Sequence, residues 1–108
     1  MFSIIQDWRV SKKLRKYIEN KELCKIADIR VEEIQKDFSH NKFLSNYQSF
    51  KSTVGENLSL DFTEELTLKG WLNSPTHAKA LRTNYKYSCV RCLNRACVQI
   101  FSNLENGY

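Results

Sequence analysis

The stretch Val54-Gly55-Glu56-Asn57-Leu58-Ser59-Leu60-Asp61-Phe62, followed by Thr63-Glu64-Glu65-Leu66, decides the architecture. Leu58, Leu60 and Phe62 alternate with polar residues, which is the two-residue period of a short half-buried strand. Asp61 and Glu64, three residues apart, then form a capping box for a helix that continues through Leu66, Gly70 and Trp71 to Leu72-Asn73. Ser74-Pro75 starts a second, short helix, with Ser at the N-cap and Pro at the first helical position. It carries His77, Ala80 and Leu81. Further on, Tyr85–Val90 and Val98–Phe101 read as β-prone runs joined by the turn Leu93-Asn94-Arg95-Ala96.

Upstream, Asn20 caps a helix that reaches Phe38. Leu23, Ile26, Ala27, Ile34 and Phe38 form its apolar stripe, and Arg30, Glu32, Glu33, Lys36 and Asp37 mark its wet face. The first twenty residues, with Phe2, Ile4, Ile5, Trp8, Leu14, Tyr17 and Ile18, read as another helix. Ser39 to Thr53 turns polar around the isolated anchors Phe43, Leu44, Tyr47 and Phe50, as a loop or broken helix does. The helical stripe is expected on the sheet, with Leu58, Trp71, Val98 and Ile100 in the same core. Helices outnumber strands and no segment repeats, so the chain reads as one α+β domain over residues 1–108, its core running from about residue 2 to 102.

The chain's 108 residues suit one core and are too few for two. A hydrophobic fraction of 42% with 12% aromatic excludes disorder, and 3 Gly with 1 Pro exclude collagen-like or low-complexity architecture. No apolar run approaches the roughly 18 residues of a membrane-spanning helix. Met1-Phe2-Ser3-Ile4-Ile5 runs at once into Asp7, Arg9, Lys12 and Lys13, which is not a signal-peptide layout. The formal net charge is +5. Basic residues gather between Arg9 and Lys25, but Glu19 and Glu22 interrupt them and no aromatic-and-arginine ladder accompanies them. They read as a solvated face rather than a nucleic-acid site, and such a face would equally suit an anionic membrane or cell wall.

Four cysteines add a further constraint. Cys92 and Cys97 flank the hairpin turn and would face each other at its mouth, and Cys24 on the long helix could meet Cys89 on the sheet. Two disulfides, reduced core thiols and a structural zinc site all remain open from the spacing. The first implies an oxidising, extracytoplasmic home.

Three fragments concentrate the chemistry: Phe38-Ser39-His40, Gly55-Glu56-Asn57-Leu58, and Trp71-Leu72-Asn73-Ser74-Pro75-Thr76-His77. Both histidines of the chain fall in them. With Leu23, Ala27 and Arg30 upstream and Val98-Gln99-Ile100-Phe101 downstream, the set resembles the CAP superfamily (cysteine-rich secretory proteins, antigen 5 and pathogenesis-related-1 proteins). The compact bacterial SCP-type branch matches best, over about Phe2 to Phe101.

That resemblance implies an α-β-α sandwich, with a small antiparallel sheet flanked by helices and a central cleft. It assigns the cleft His40, His77 and Glu56, supported by Asn57, Trp71 and Ser74. The family's second acid falls at Ser74 here, leaving Glu64 or Glu65 as substitutes, though both also serve as first-turn complements to the helix dipole. The family often has Gly where this chain has Cys89 and Arg91, which implies a stiffer, more basic hairpin tip. The chain is also short between His40 and Gly55, which implies a shallow cleft.

Two imidazoles suit a divalent metal such as zinc, with Glu56 as third ligand or as orienter of a ligand. Ser39 and Ser74 read as local hydrogen-bonders near helix ends rather than nucleophiles. The resemblance implies a secreted or cell-surface binding module for a protein, lipid or surface ligand. A monomer that contacts surfaces peripherally, without nucleic acid, is expected. The alternatives are a metal-dependent hydrolase built on His40, Glu56 and His77, and a purely structural polar network with no cleft ligand.

Overall fold

Two layers of helix enclose one sheet. The computed structural model of the chain describes residues 1–41, 43, 54–60, 63–83 and 85–102. Among them the order is α1 (Phe2–Ser11), β1 (Ile18–Glu19), α2 (Lys21–Lys36), β2 (Val54–Leu60), α3 (Glu64–Asn73), α4 (Pro75–Arg82), β3 (Tyr87–Leu93) and β4 (Ala96–Ser102). The sheet order is β1-β3-β4-β2. Its long strands pair antiparallel, and the two-residue β1 adds one parallel edge through Ile18 and Tyr87, so the sheet is mixed.

α2 begins where Asn20 accepts hydrogen bonds from the backbone N–H of Glu22 (2.9 Å) and Leu23 (3.1 Å). Leu23, Ile26, Ala27 and Ile34 pack on one sheet face against Leu58, Val98 and Ile100, as the sequence implies. Burial of each large aliphatic side chain there contributes about 1.5–3 kcal/mol. Phe38 does not join them: α2 stops at Lys36, Asp37 takes an extended backbone, and Phe38 is left 48% exposed. Arg30 departs in the opposite sense. It lies on the buried stripe and is 0% exposed, not on the wet face.

Trp71 also departs from expectation. It packs across the sheet from the α2 core, with Ile5, Tyr17, Leu81, Val90, Cys97 and Phe101. β4 is consequently buried along its whole length, Ala96, Val98 and Ile100 facing one helical layer and Cys97 and Phe101 the other. β2 follows suit. Leu58 is buried, but so are Asn57 and Ser59, and it is Leu60 that is exposed. Asp61 and Phe62 lie outside the described residues, and the observed cap of α3 is Thr63, whose side chain accepts from the Leu66 N–H.

The first helix is shorter than its apolar residues imply. α1 ends at Ser11, and Lys13, at φ 61°, turns the chain so that Leu14 and Tyr17 fold back and Ile18 enters the sheet. Arg9, fully buried, holds this bend. Its Nε donates to the Arg15 carbonyl (2.7 Å), its Nη1 to those of Leu81 (2.6 Å) and Thr83 (3.4 Å), and its guanidinium lies 4.0 Å over the Tyr17 ring. The carbonyls of Leu81 and Thr83 are the negative end of α4, so the charge is met by a helix terminus rather than by an acid. Burial pushes the Tyr17 hydroxyl up to about 12, with Arg9 opposing it.

Both disulfides form. Cys24–Cys89 joins α2 to β3, and Cys92–Cys97 joins directly paired residues of the hairpin. The turn is two residues rather than four, because β3 runs through Leu93 and β4 starts at Ala96. Asn94 and Arg95, both at positive φ, close it as a tight hairpin turn. Arg91 is not a free cation at the tip: its Nε pairs with Asp28 of α2 at 2.8 Å. Of the anchors between Ser39 and Thr53, Phe43 is buried, and Leu44, Tyr47 and Phe50 lie outside the described residues.

Candidate functional site

The site begins with Arg30. Its place on the inner stripe of α2 aims a guanidinium at β2, where Glu56 faces the same side of the sheet as Leu58. Arg30 Nε donates to Glu56 Oε2 at 2.6 Å and Nη2 to Glu56 Oε1 at 2.9 Å, a two-pronged pair. Nη1 reaches Glu33 at 3.0 Å, and Nη2 also holds the Ser39 carbonyl at 2.9 Å. Burial works against the guanidinium charge, but the hydrogen bonds and charges of Glu56 and Glu33 outweigh it, and its pKa is raised further above the usual value.

Glu56 thus sits buried, its side chain 1% exposed, with its charge matched. Its Oε1 also meets His40 Nδ1 at 2.9 Å. Beside a carboxylate Nδ1 is the donor nitrogen, and Nε2 is the ring nitrogen not engaged by Glu56. His40 lies beyond the end of α2, three residues after the cap Asp37, and its side chain is 47% exposed. Arg30 therefore sets both the acid that orients His40 and, through Ser39, the chain that carries it. Ser39 Oγ accepts from the Asn41 N–H, the local role expected of it.

His77 comes from the other helical layer, in the first turn of α4. Burial first, and the charge of His40 second, lower its pKa from 6.5. It is neutral at physiological pH. Asn57, buried on β2 next to Glu56, places it through a long contact of 3.5 Å from its Nδ2 to the His77 carbonyl. Trp71 Nε1 donates to the Leu58 carbonyl at 2.9 Å and ties α3 to the same strand. Ser74 occupies the N-cap position of α4, but its side chain makes no cap bond. Two helices and the loop after α2 thus meet β2 at consecutive residues 56, 57 and 58.

Among the described residues, neither Glu64 nor Glu65 takes the place of the carboxylate missing at Ser74. Glu64 and Glu65 stand exposed in the first turn of α3, and Glu64 lines a depression with Cys92, Leu93 and Asn94 at the hairpin tip. That is the opposite end of β2, about four residues or ~13 Å along the strand from Glu56. Among the described residues, the three metal-type donors that gather within 4.8 Å of one another are Glu19, Cys24 and Cys89. Their sulfurs are joined to each other, which removes a structural zinc site there.

The chain has the CAP, or SCP, fold: a mixed sheet between helical layers, with its polar site at the end of β2. Three solved structures carry that statement. A cysteine-rich secretory protein of Staphylococcus aureus superposes with a TM-score of 0.76 at 20% identity, over 95% of this chain and 36% of that one. An outer surface protein of Borrelia burgdorferi gives 0.76 at 20% identity, over 94% and 87%. An extracellular protein containing an SCP domain from Bacillus anthracis gives 0.78 at 21%, over 95% and 39%. The chain thus spans little more than a third of the staphylococcal and Bacillus proteins. No protein-family model matches the sequence, and no curated protein does.

Proposed function

We propose that the protein is an extracellular or cell-surface CAP domain acting as a binding module, with a divalent metal such as zinc held by His40 Nε2 and His77. The observation that supports this reading is the chain of contacts from Arg30 through Glu56 to His40. It fixes the orientation of the ring, the arrangement by which a carboxylate supports a metal-binding imidazole. Glu56 suits the orienting role better than direct ligation, since Arg30 and His40 already engage both its oxygens. The lowered pKa of His77 keeps a second lone pair free at neutral pH. A metal held by these two side chains would keep open positions for an acidic group of a protein or surface ligand.

The same engagement argues against hydrolysis, because Glu56 is buried and already accepts three hydrogen bonds from Arg30 and His40. All four cysteines are in disulfides and none is available as a thiolate. The disulfides and the extracellular or surface character of the structurally similar proteins support the location outside the cytoplasm.

Zinc titration by calorimetry at about pH 7.5 and about pH 5 tests the reading, because imidazole ligation requires the neutral ring. Uptake is expected at the higher pH, lost at the lower, and lost with His77→Ala. No uptake at either pH, or uptake indifferent to His77, would make the cleft a structural network.

A further inference from the structure

The far side of the α1 layer carries a second surface that the cleft does not use. Trp8 and Lys12 from α1 and its end, Leu14 from the bend, Leu72 of α3 and Arg82 of α4 line a pocket of about 470 Å³. A neighbouring depression of about 400 Å³, lined by Pro75, Lys79, Arg82 and Thr83, shares Arg82 with it. Among the described residues no acidic one lines either. Lys12, Lys13, Lys16, Lys79 and Arg82 are all exposed, and none of them joins an ion pair among the described residues. The pocket itself is apolar, made by Trp8, Leu14 and Leu72, and Val10 stands 50% exposed on α1.

Two further features show that this surface is built. Lys13 holds φ 61°, the left-handed position after a helix where glycine is the favoured residue, with its N–H on the Val10 carbonyl at 3.0 Å. A lysine there places a second cation next to Lys12 in the chain at a cost to the backbone. Arg9, buried beneath, bonds the Arg15 carbonyl on one side and those of Leu81 and Thr83 on the other. The cations of the bend and of α4 are thereby held in fixed relation.

We propose that this face docks on a lipid bilayer rich in anionic phospholipid, with Lys12, Lys13, Lys79 and Arg82 on headgroup phosphates and Trp8 and Leu14 at the acyl boundary. Lysines and arginines around tryptophan and leucine are the composition of an interfacial contact, in which charge and apolar burial add. A soluble polyanion would use the cations and leave the Trp8 pocket empty. A nucleic acid would need more than one stacking aromatic. None of His40, Glu56 and His77 lines this surface, so a metal held by them is not required.

Sedimentation of the chain with phosphatidylcholine vesicles, and with vesicles about one-third phosphatidylglycerol, tests this at low salt. Binding is expected only to the anionic vesicles. It should fall about fivefold for each cation removed, hence about 25-fold in Lys12→Gln with Arg82→Gln. Lys13→Gly should lose about fivefold while raising the thermal midpoint, which excludes unfolding as the cause. Brominated acyl chains should quench Trp8 emission, and Trp8→Phe should abolish that quenching. Equal binding to phosphatidylcholine, no binding to either, indifference to the Lys12 and Arg82 substitutions, or binding without Trp8 quenching would overturn the proposal.

Discussion

Replacing Arg30 by Met keeps an unbranched side chain in the α2 stripe and removes all four of its hydrogen bonds, to Glu56 twice, to Glu33 and to the Ser39 carbonyl. Apolar packing is largely retained, so the loss falls on Glu56, whose carboxylate stays buried with only His40 beside it. Removing one member of a buried pair costs about 3–5 kcal/mol. That is a large share of the roughly 5–15 kcal/mol by which domains of this size are stable. In urea, with a slope near 2 kcal/mol per molar, the midpoint should fall by about 1.5–2.5 M. Far-UV circular dichroism at neutral pH follows the transition. Glu56→Gln in the same background should return part of the loss, since the orphaned charge goes with it, and the two substitutions should couple by about 1–3 kcal/mol. A loss below about 1 kcal/mol for Arg30→Met, or strict additivity with Glu56→Gln, would refute the view that the pair is the keystone of the site.

Removing the Cys24–Cys89 bond, which closes 65 residues, should cost about 4 kcal/mol, and removing Cys92–Cys97, which closes 5, about 2 kcal/mol on chain-entropy grounds. Paired alanine variants in denaturant titrations check the order, and the reverse order would contradict it. Phe38→Ala should change stability by less than about 1 kcal/mol, as expected for a half-exposed side chain beyond the helix end. A loss of 3 kcal/mol or more, the ~3–5 expected of a core phenylalanine, would mean that Phe38 is buried after all. His77 has a folded pKa below its unfolded 6.5, so the unfolded chain binds more protons as pH falls through that range. Stability should be full above about pH 6.5 and decline below it, and His77→Gln should flatten the decline.

The arrangement of layers was legible because hydrophobic period and turn chemistry agree: Asn20, Ser74-Pro75 and the β-prone runs each mark a boundary that the structure keeps within a few residues. Two departures, Arg30 and Arg9, share one cause: a charged residue reads as exposed. Arg30 falls at 23, 27, 30, 34 on the buried stripe of α2, and Arg9 lies one turn after the buried Ile5, so spacing alone puts both inside. Phe38 failed for the opposite reason. It continues the arithmetic of the stripe from Ile34, but the helix has already ended, and a period has no meaning past its last turn. His40, Glu56 and His77 are assigned by resemblance to a family; the contact of Glu56 with His40 is present, while the three do not gather as metal-type donors within 4.8 Å of one another. What the sequence could not supply is that one arginine organises them, because that depends on β2 lying opposite α2. Trp71 was assigned to the wrong face for a related reason: burial follows from its size, but the layer it belongs to follows from topology.

The Cys24–Cys89 bond and the Arg30–Glu56 pair grip α2 at two points six residues apart, about 9 Å along its axis. A helix pinned twice to the same sheet can neither roll nor slide without breaking a covalent bond or stranding a charge. The wall of the cleft that bears His40 is therefore set before any ligand arrives. Little ordering is left to occur on association, so encounter should be ungated, and differences in affinity among ligands should appear as differences in residence time.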